Sequence, residues 1–493
     1  MLLADSVLPF AYAKRHQLLM GSRDERLCIF YAEPIQASVY SELCRFFRQV
    51  LPIEEVELSK FSELMAQTYE ASSSASREVM DEIDADQSLA SLQESMREAE
   101  DLLEQEDEAP IVRLINAILA EAIQKSASDI HLEVYEKSLC VRFRVDGVLN
   151  EVARPKRELA SLLTSRVKVM AGLDIAEKRV PQDGRISLRL GGREIDVRVS
   201  TLPSVHGERL VMRLLDKQSG RMDLSSLGLS PLVKSNLLDL LQFPHGIVLV
   251  TGPTGSGKST TLYAGLTTIN HKEKNILTVE DPVEFHVQGI GQTQVNEKAG
   301  MSFAKGLRAI LRQDPDVVMV GEIRDIETMK IAVQASLTGH LVLSTLHTNS
   351  AVGAVTRLMD MGVEPFLLSS SLLAVLAQRL VRRLCLNCRE TYTPDTSELG
   401  RYDLVLKTGQ TLYQASKSGC EACDHSGYRG RTGIYELIVV DQTIKQLIHD
   451  EAAERDILDY TRKTQVSMLH DGWEKVLSGE TSLAEVLRVV QEI

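Results

Sequence analysis

One segment of the chain carries the full pattern of a phosphate-binding loop. Its members are Gly252, Pro253, Thr254, Gly255, Ser256, Gly257, Lys258, Ser259 and Thr260. The segment lies between an apolar run and a helix-compatible stretch, which is the context in which the pattern binds nucleotide phosphates. Glycines let backbone N–H groups turn inward, and the following helix N-terminus adds partial positive charge. We expect Lys258 to reach the β- and γ-phosphates of a nucleoside triphosphate and Ser259 to ligate Mg²⁺; the alternative is a glycine-rich turn without a ligand.

Three further apolar runs end in groups that could act on a triphosphate. Glu280 ends the first run and is a candidate for the magnesium shell or for organising water. The alternative for its acidic segment is a capping aspartate before a proline turn. Glu322 follows the run Val317–Val320 and is a candidate for polarising the attacking water, although exposed glutamates are common at strand ends. His347 could hydrogen-bond the γ-phosphate or its water, although a lone histidine is more often structural.

Four of the seven cysteines form two C-x-x-C pairs, Cys385 with Cys388 and Cys420 with Cys423. Each pair can place two thiolates on one ion, and together they complete a tetrahedral sulfur site for Zn²⁺. Since four thiolates leave no coordination position for water, we predict a structural metal. The 31 residues between the pairs exceed the usual zinc-ribbon gap, so a long hairpin must lie between them. A redox dithiol and an iron–sulfur cluster are the alternatives.

Arginines are concentrated in residues 142–213. Among them are Arg142, Arg144, Arg185, Arg189, Arg193, Arg198, Arg209 and Arg213. Most of them fit a solvated face whose aliphatic stems cover apolar surface. The charge that develops on a transferred phosphoryl group nevertheless calls for an arginine from outside the loop. One or two members of this set are therefore candidates for that role.

The candidate nucleotide-site residues from Gly252 onward must be brought together by the fold of this part of the chain. Four short apolar runs, at 247–250, 276–279, 317–320 and 341–346, alternate with helical segments. This alternation predicts an α/β fold with a mostly parallel sheet and crossover helices over residues 242–493. Ligands of such sheets bind outside the carboxyl ends of the strands. We therefore expect the four strand ends to converge on one site.

A smaller α+β domain with an arginine-rich face is expected before this sheet, at residues 110–216. Apolar residues recur at helical spacing after Pro110, which predicts an amphipathic helix. Alternating patterns surround Asp146-Gly147 and Gly191-Gly192, and these patterns predict two β-hairpins. Residues 217–241 are interpreted as an interdomain linker.

The net negative charge of the chain comes entirely from its first 109 residues. The net charge is −14, and the first 109 residues alone carry 9 basic and 23 acidic side chains, so the remaining residues are neutral overall. A general nucleic-acid binder would show a net basic domain, and none is expected here. Residues 96–109 are interpreted as an acidic linker because like charges repel one another. Residues 1–95 are interpreted as a small α/β module of their own.

The chain is expected to be soluble and unexported. No apolar run approaches the roughly 18 to 20 residues that cross a bilayer, and Asp5 interrupts the apolar N-terminus, which lacks basic residues ahead of it. Seven cysteines in a chain of this length without an export signal fit a reducing compartment.

Together, these motifs resemble the secretion ATPases of bacterial type II secretion and type IV pilus assembly. The resemblance covers residues 110–493 and rests on the phosphate loop, the acidic segment 275–284, the segment 312–325 and the histidine segment 338–349. The four cysteines and the sequence Ser126–His131 favour the type II secretion and pilus-assembly branches. The short N-terminal module favours type II secretion.

The resemblance implies a RecA-like P-loop motor that forms a homo-oligomer, usually a hexamer, and uses ATP, Mg²⁺ and Zn²⁺. It implies that Arg198 and Arg213 face the phosphates, that Glu322 is the catalytic glutamate, and that Glu280 and His347 act from the acidic and histidine segments. The cysteines would lie in a zinc-binding insert at residues 384–430.

The resemblance also implies a cellular role. The N-terminal domain would dock on the cytoplasmic domain of an inner-membrane secretion protein, and a polytopic inner-membrane platform protein is a further expected partner. The protein would be cytoplasmic and peripherally recruited to the inner membrane, where it would drive pseudopilus assembly for type II secretion. A pilus-assembly ATPase, a nucleic-acid translocase and a docking module with negligible turnover are the alternatives.

Overall fold

The chain divides into two units, Met1–Gln218 and Ser219–Ile493. The computed structural model describes residues 16, 18–23, 26–32, 35–47, 49–56, 61, 64, 110–190, 193–216, 223–394, 396–402, 404–406 and 410–490. The acidic linker expected at 96–109 lies outside these residues. Within them, no helix is both long enough and apolar enough to cross a membrane.

The described part of the N-terminal module is a small α/β arrangement, as expected. Strands β1 (Leu18–Arg23), β2 (Arg26–Tyr31) and β3 (Ile53–Glu55) form one sheet, in which β2 pairs antiparallel with β1 and parallel with β3. Helix α1 (Ala37–Phe46) supplies Val39 and Leu43 to the core that the sheet buries.

The rest of the first unit is the α+β fold expected at 110–216. Its elements are α2 (Pro110–Gln124), β4 (Asp129–Val134), β5 (Leu139–Val145), β6 (Val148–Ala153), α3 (Leu159–Met170), β7 (Gln182–Leu190), β8 (Arg193–Ser204) and β9 (Gly207–Asp216). The sheet has the order β6-β5-β4-β9-β8-β7. The apolar stripe of α2 is buried against it, and both predicted hairpins, β5–β6 and β7–β8, are present.

The second unit is built on a seven-stranded sheet with the order β12-β11-β13-β14-β10-β15-β18. The strands of the unit are β10 (Gly246–Thr251), β11 (Ile276–Glu280), β12 (Ile290–Gln294), β13 (Val317–Val320), β14 (Leu341–Leu346), β15 (Leu372–Leu384), β16 (Glu390–Tyr392), β17 (Leu412–Gln414) and β18 (Tyr428–Val439). The first six strands in the sheet order are parallel, and β18 pairs antiparallel with β15. The prediction of a mostly parallel sheet is confirmed.

Helices cover both faces of this sheet. They are α4 (Pro231–Leu240), α5 (Lys258–Ile269), α6 (Phe303–Ile310), α7 (Ile326–Leu337), α8 (Ala351–Asp360), α9 (Pro365–Ser371), α10 (Thr396–Arg401), α11 (Gln442–His449), α12 (Glu454–Thr464), α13 (Met468–Leu477) and α14 (Leu483–Val490). Strand β10 shows the result in its side chains: Ile247 and Leu249 belong to one core, and Val248 and Val250 belong to the core on the other face. Burial on both faces explains its continuous apolar run.

The expectation of a linker at 217–241 is wrong for residues 223–241. Helix α4 begins with Pro231 after a cap in which Ser230 Oγ accepts the Val233 N–H, which is a standard helix start. Val233, Leu237 and the other apolar residues of this segment are buried in the core that also contains Val248 and Val250. The segment therefore belongs to the second unit, because its apolar side chains recur at helical spacing and need a partner surface.

A buried lysine of the C-terminal helices forms hydrogen bonds with the segment 223–241. Lys475 Nζ donates to Gly228 O at 2.5 Å and also to Gly433 O, and it lies 3.5 Å from Asp471 Oδ2. Tyr435 donates its hydroxyl to Leu227 O at 2.8 Å. The carbonyls at the turn before α4 are therefore bound by groups from β18 and α13.

Candidate active site

The phosphate loop connects β10 to α5 and requires glycine at two positions for steric reasons. Gly252 and Gly257 have φ angles of 149° and 86°, in the region that side chains rarely adopt. A Cβ on Gly257 would lie 2.8 Å from Gln378 Nε2, and one on Gly252 would overlap Gln378 O. The loop is therefore pressed against strand β15, which carries Gln378.

Lys258 lies inside this loop. Its side chain is buried, and its Nζ donates to Gly252 O at 2.7 Å and to Pro253 O at 3.1 Å. Burial lowers the Lys258 pKa to about 8, while the nearby Glu322 charge acts in the opposite direction. The ammonium is therefore mostly charged at neutral pH, and the two acceptors that it binds are neutral carbonyls. A phosphate is a stronger acceptor for this group than a carbonyl, because the hydrogen bond joins opposite charges.

Glu322 and His347 come together at the same sheet edge. Glu322 lies just after β13, and His347 lies just after β14, the strand that pairs with both β13 and β10. His347 Nε2 is 3.2 Å from Glu322 Oε2. Arg324 pairs with the other oxygen of the same carboxylate. The strand ends that carry Lys258, Glu322 and His347 thus converge, as expected from the parallel sheet.

Two threonines join the histidine segment to the strand that precedes the phosphate loop. Thr251 Oγ1 is 2.7 Å from Thr348 Oγ1, and it accepts the Thr348 backbone N–H at 3.0 Å. Thr251 is the last residue of β10, and its Cα partner on β14 is Leu346. The segment that contains His347 is therefore fixed to the start of the loop through a short hydrogen-bonded contact.

Glu280 has a different environment from the magnesium shell that was expected. It is the last residue of β11, paired with Gln294 of β12, and its carboxylate is buried. Tyr263 and Thr278 donate their hydroxyls to its two oxygens, and Gln292 Nε2 lies 3.2 Å from one of them. Burial, together with the Glu280 charge, raises the Tyr263 pKa. Both carboxylate oxygens are thus bound by protein donors that connect β11 to α5.

Arg198 and Arg213 belong to the first unit and lie directly opposite one another on β8 and β9. Asp129 of β4 is the opposite neighbour of Arg213 on its other side, and Arg213 Nε donates to Asp129 Oδ1 at 2.9 Å. The Arg213 side chain remains about half exposed. Asp129 also lies 3.8 Å from Arg144 Nε. The contact of these arginines with phosphate stays a prediction.

The four cysteines of the predicted metal site are brought together. Their sulfur atoms lie within 4.8 Å of one another, and three of the separations are 3.7, 3.7 and 3.8 Å. Tetrahedral zinc with Zn–S bonds of about 2.3 Å requires sulfurs about 3.8 Å apart. Burial raises the Cys423 pKa, but N–H groups of Cys420 and Gly427 lower it to about 6 overall. The donor set therefore fits structural zinc.

The metal site lies at one end of the β15–β18 pair. Cys385 follows β15 directly, and its backbone N–H donates to Gly427 O at 3.0 Å, just before β18 begins. Strands β16 and β17 pair antiparallel between the two cysteine pairs. The long hairpin that the 31-residue spacing required is therefore present.

Metal analysis of the purified protein should find about one zinc per chain, because four thiolates at these distances close a tetrahedral site. Replacing all four cysteines by serine should remove the zinc and lower the melting temperature. Cys44→Ala is the control, since Cys44 lies outside this site and should leave the zinc content unchanged. A chain without the four cysteines that folded and melted normally would contradict the structural role.

Several site residues were not predicted from the sequence. Gln378 lies in the interior of β15, and Arg324 follows a strand end in a segment rich in charge. Thr348 is next to His347 but has no distinctive spacing. Each of them acts through a tertiary contact, so residue type and position alone give no signal. The one visible sign was that Gln378 ends the apolar run Leu372–Ala377 at the start of β15.

Comparison with known families identifies both parts of the chain. The family described as "Type II/IV secretion system protein" matches residues 104–488, and a family of N-terminal domains of "GSPII protein E" matches residues 7–69. Among solved structures, the pilus retraction motor PilT with bound ADP is 27% identical and has a TM-score of 0.52, covering 76% of this chain and 97% of that one. The ATPase DotB of Legionella pneumophila, at 22% identity and a TM-score of 0.57 over 77% and 95% of the two chains, shares the fold.

Curated relatives match almost the whole chain. "Type II secretion system protein E" of Pseudomonas aeruginosa is 58% identical over 98% of this chain and 96% of its own length. "Type II secretion system ATPase E" of Vibrio cholerae is also 58% identical, over 98% of this chain and 97% of its own length. The RecA-like core, the convergent strand ends and these matches lead to one conclusion. The chain belongs to the type II/IV secretion system protein family.

Proposed function

We propose that the protein is an ATP-hydrolysing motor that powers type II secretion by driving pseudopilus assembly. The observation that carries the proposal is the meeting of Lys258, Glu322 and His347 at the carboxyl edge of one parallel sheet. The names of the nearly full-length relatives support type II secretion and disfavour the pilus-assembly alternative.

Each group at this edge has a role that its chemistry permits. Lys258 neutralises negative charge on the β- and γ-phosphates, and the loop N–H groups bind their oxygens. Ser259, the second residue of α5, would hold Mg²⁺, which supplies further positive charge to the phosphates. Glu322 accepts a hydrogen bond from the attacking water and polarises it. His347 holds the Glu322 carboxylate in position, and Arg324 limits its rotation from the other side.

Arg198 and Arg213 are proposed to contact the γ-phosphate as its negative charge increases. An arginine fork suits this role because it offers paired donors in one plane. The Arg213 terminal nitrogens suit it in particular, since the contact with Asp129 is made through Nε and the side chain is half exposed. Glu280 is proposed to act at a distance from the phosphates, through the position of Tyr263 in α5.

The assembly and partners are proposed from family membership. The protein would act as a homo-oligomer, a hexamer, and would be cytoplasmic and peripherally recruited to the inner membrane. The match of residues 7–69 to a domain of GSPII protein E supports docking of the N-terminal domain on the cytoplasmic part of an inner-membrane secretion protein. The conformational change that ATP hydrolysis drives would be transmitted to a polytopic inner-membrane platform protein.

ATP hydrolysis by the purified full chain tests this function. The rate should rise when the cytoplasmic fragment of the inner-membrane partner and phospholipid are added, because they concentrate and orient the subunits. Single- and double-stranded nucleic acid should leave the rate unchanged. Strong stimulation by nucleic acid alone, without any response to the partner or lipid, would contradict the proposal of a secretion motor. It would favour the alternative, a nucleic-acid translocase.

Deleting residues 1–95 should leave basal ATPase activity within about twofold of the full chain, since the described part of this module packs into a core of its own, separate from the core of the α+β fold that carries Arg198 and Arg213. The same deletion should abolish recruitment to membranes that contain the partner, which co-sedimentation would measure. The full-length Lys258→Ala variant is the matched control, because it should lose turnover and retain recruitment. Unchanged membrane association of the truncated chain would contradict the docking role.

A further inference from the structure

Gln378 bridges the phosphate loop and the helix that follows it. Its side chain is buried, its Nε2 donates to Ser256 O at 2.7 Å, and its Oε1 accepts the Thr261 hydroxyl at 2.7 Å. Both ends of the amide are thus used, one by the loop backbone and the other by α5. A buried amide that is hydrogen-bonded at both ends holds together the groups that it joins, because breaking either bond leaves a buried polar atom with fewer partners.

The bond to Ser256 O controls the direction of the next N–H group. Ser256 O and the Gly257 N–H belong to the same planar, trans peptide unit, so they point in opposite directions. When Gln378 holds the carbonyl against β15, the Gly257 N–H must point away from Gln378. This is the orientation that a phosphate-binding loop needs from its backbone.

The close packing at Gly252 and Gly257 has the same origin. A Cβ on Gly257 would approach Gln378 Nε2, and a Cβ on Gly252 would overlap the Gln378 carbonyl oxygen. Glycine at both positions lets the loop lie directly on the backbone and side chain of one residue. The conformation of the loop is therefore constrained by its contacts with β15.

We propose that Gln378 is a positioning residue for nucleotide binding: it orients the Ser256–Gly257 peptide so that the Gly257 N–H is available to a phosphate. This role rests on the proposed binding of ATP by the loop. It predicts a specific kinetic result. Without Gln378, the nucleotide itself must order the loop when it binds, and part of its binding free energy is used for this. The affinity for nucleotide therefore falls, while the chemical step, performed by Glu322, is little affected.

Gln378→Met tests this role, since methionine keeps the length of the side chain and removes both hydrogen bonds. The dissociation constant and KM for MgATP should rise about 10-fold, and kcat should change by less than about threefold. Gln465→Met is the matched control. Gln465 also donates to and accepts from the backbone, both times at Val439, so its loss should lower stability without changing KM.

Two further variants keep the test decisive if Gln378→Met folds poorly. Thr261→Val removes the hydroxyl that α5 donates to Gln378 and that also contacts Tyr435, while it leaves the bond from Gln378 to Ser256 O in place, so it should raise KM by a smaller factor. Gln378→Glu can donate to Ser256 O only when protonated, and burial raises the pKa of such a carboxyl, so its affinity for MgATP should fall relative to wild type as the pH rises. Because the ionised carboxylate would also repel the phosphates, this result supports the positioning role only if the neutral Gln378→Met or Thr261→Val variant loses affinity as well.

The outcomes separate this role from the proposed function. If the wild-type chain binds MgATP and folded Gln378→Met binds it equally tightly, the positioning role is refuted and the ATPase proposal stands. An equal loss of affinity in Gln378→Met and Gln465→Met would also refute it, because it would indicate a general effect of stability. If the wild-type chain itself binds no nucleotide, both proposals fail.

Discussion

Replacing Lys258 by alanine should reduce ATP turnover by about 100- to 1000-fold and weaken nucleotide binding, as expected when a preorganised donor to a charged group is removed. Lys258 is buried inside the loop and donates to two loop carbonyls, Gly252 O and Pro253 O. The substitution therefore removes the positive charge that would bind the phosphates, and it also removes the Lys258 hydrogen bonds to both carbonyls, of which Pro253 O still accepts the Ser256 N–H at 3.3 Å. Both effects act on the same few atoms of the site.

Steady-state hydrolysis and direct titration with a fluorescent ATP analogue would measure the two losses. Lys272→Ala is a suitable control, since Lys272 is exposed in the turn after α5 and its charge is screened by water. This control should hydrolyse ATP at the wild-type rate. Wild-type turnover in Lys258→Ala would refute the assignment of the loop as the phosphate site.

Glu322→Gln should separate binding from hydrolysis. We expect hydrolysis to fall by about 100- to 10,000-fold, the range for loss of a general base, while MgATP affinity stays within a few fold. Glutamine has the shape of glutamate, so the contact with His347 at 3.2 Å can be retained. An amide has no negative charge, however, and cannot accept a proton from water. Secretion should be lost in cells that carry this variant as their only copy.

Glu327→Gln is the matched control for that experiment. Glu327 lies on the next helix, α7, and its exposed carboxylate pairs with Arg308 at 2.7 Å. Its neutralisation should leave both hydrolysis and secretion near wild-type values, because an exposed pair contributes little. If Glu322→Gln abolished hydrolysis and secretion continued, the protein would act as a nucleotide-gated docking module and the motor proposal would fail.

Local patterns were sufficient to predict much of the fold. The run at 247–250 and its three counterparts became strands β10, β11, β13 and β14, because a strand that is buried on both faces must be apolar throughout. The hairpin at Asp146-Gly147 followed from alternation and a tight-turn dipeptide. Once the strands are parallel, their carboxyl ends share one edge, so the meeting of Glu322 and His347 was also predictable.

The direction of a side chain at a strand end was not predictable from the same patterns. Glu322 lies two residues beyond the end of β13, where the chain has left the sheet. Glu280 is still a paired residue of β11, so the pleat directs its side chain between the sheet and α5. The two glutamates look equivalent in sequence, and only the point at which each strand stops distinguishes them. Gln378 was missed for a related reason, since its partners are distant in sequence.

The inclusion of residues 223–241 in the second unit limits how the nucleotide site can be isolated. A recombinant fragment that started at residue 242 would lack Val233 and Leu237, and burial of each such side chain contributes about 1.5 to 3 kcal/mol. Lys475 would also lose the Gly228 carbonyl that it binds at 2.5 Å. A fragment that folds as the second unit must therefore include the chain from Asp223, which caps the helical turn carrying Leu224, well before the first strand of the sheet.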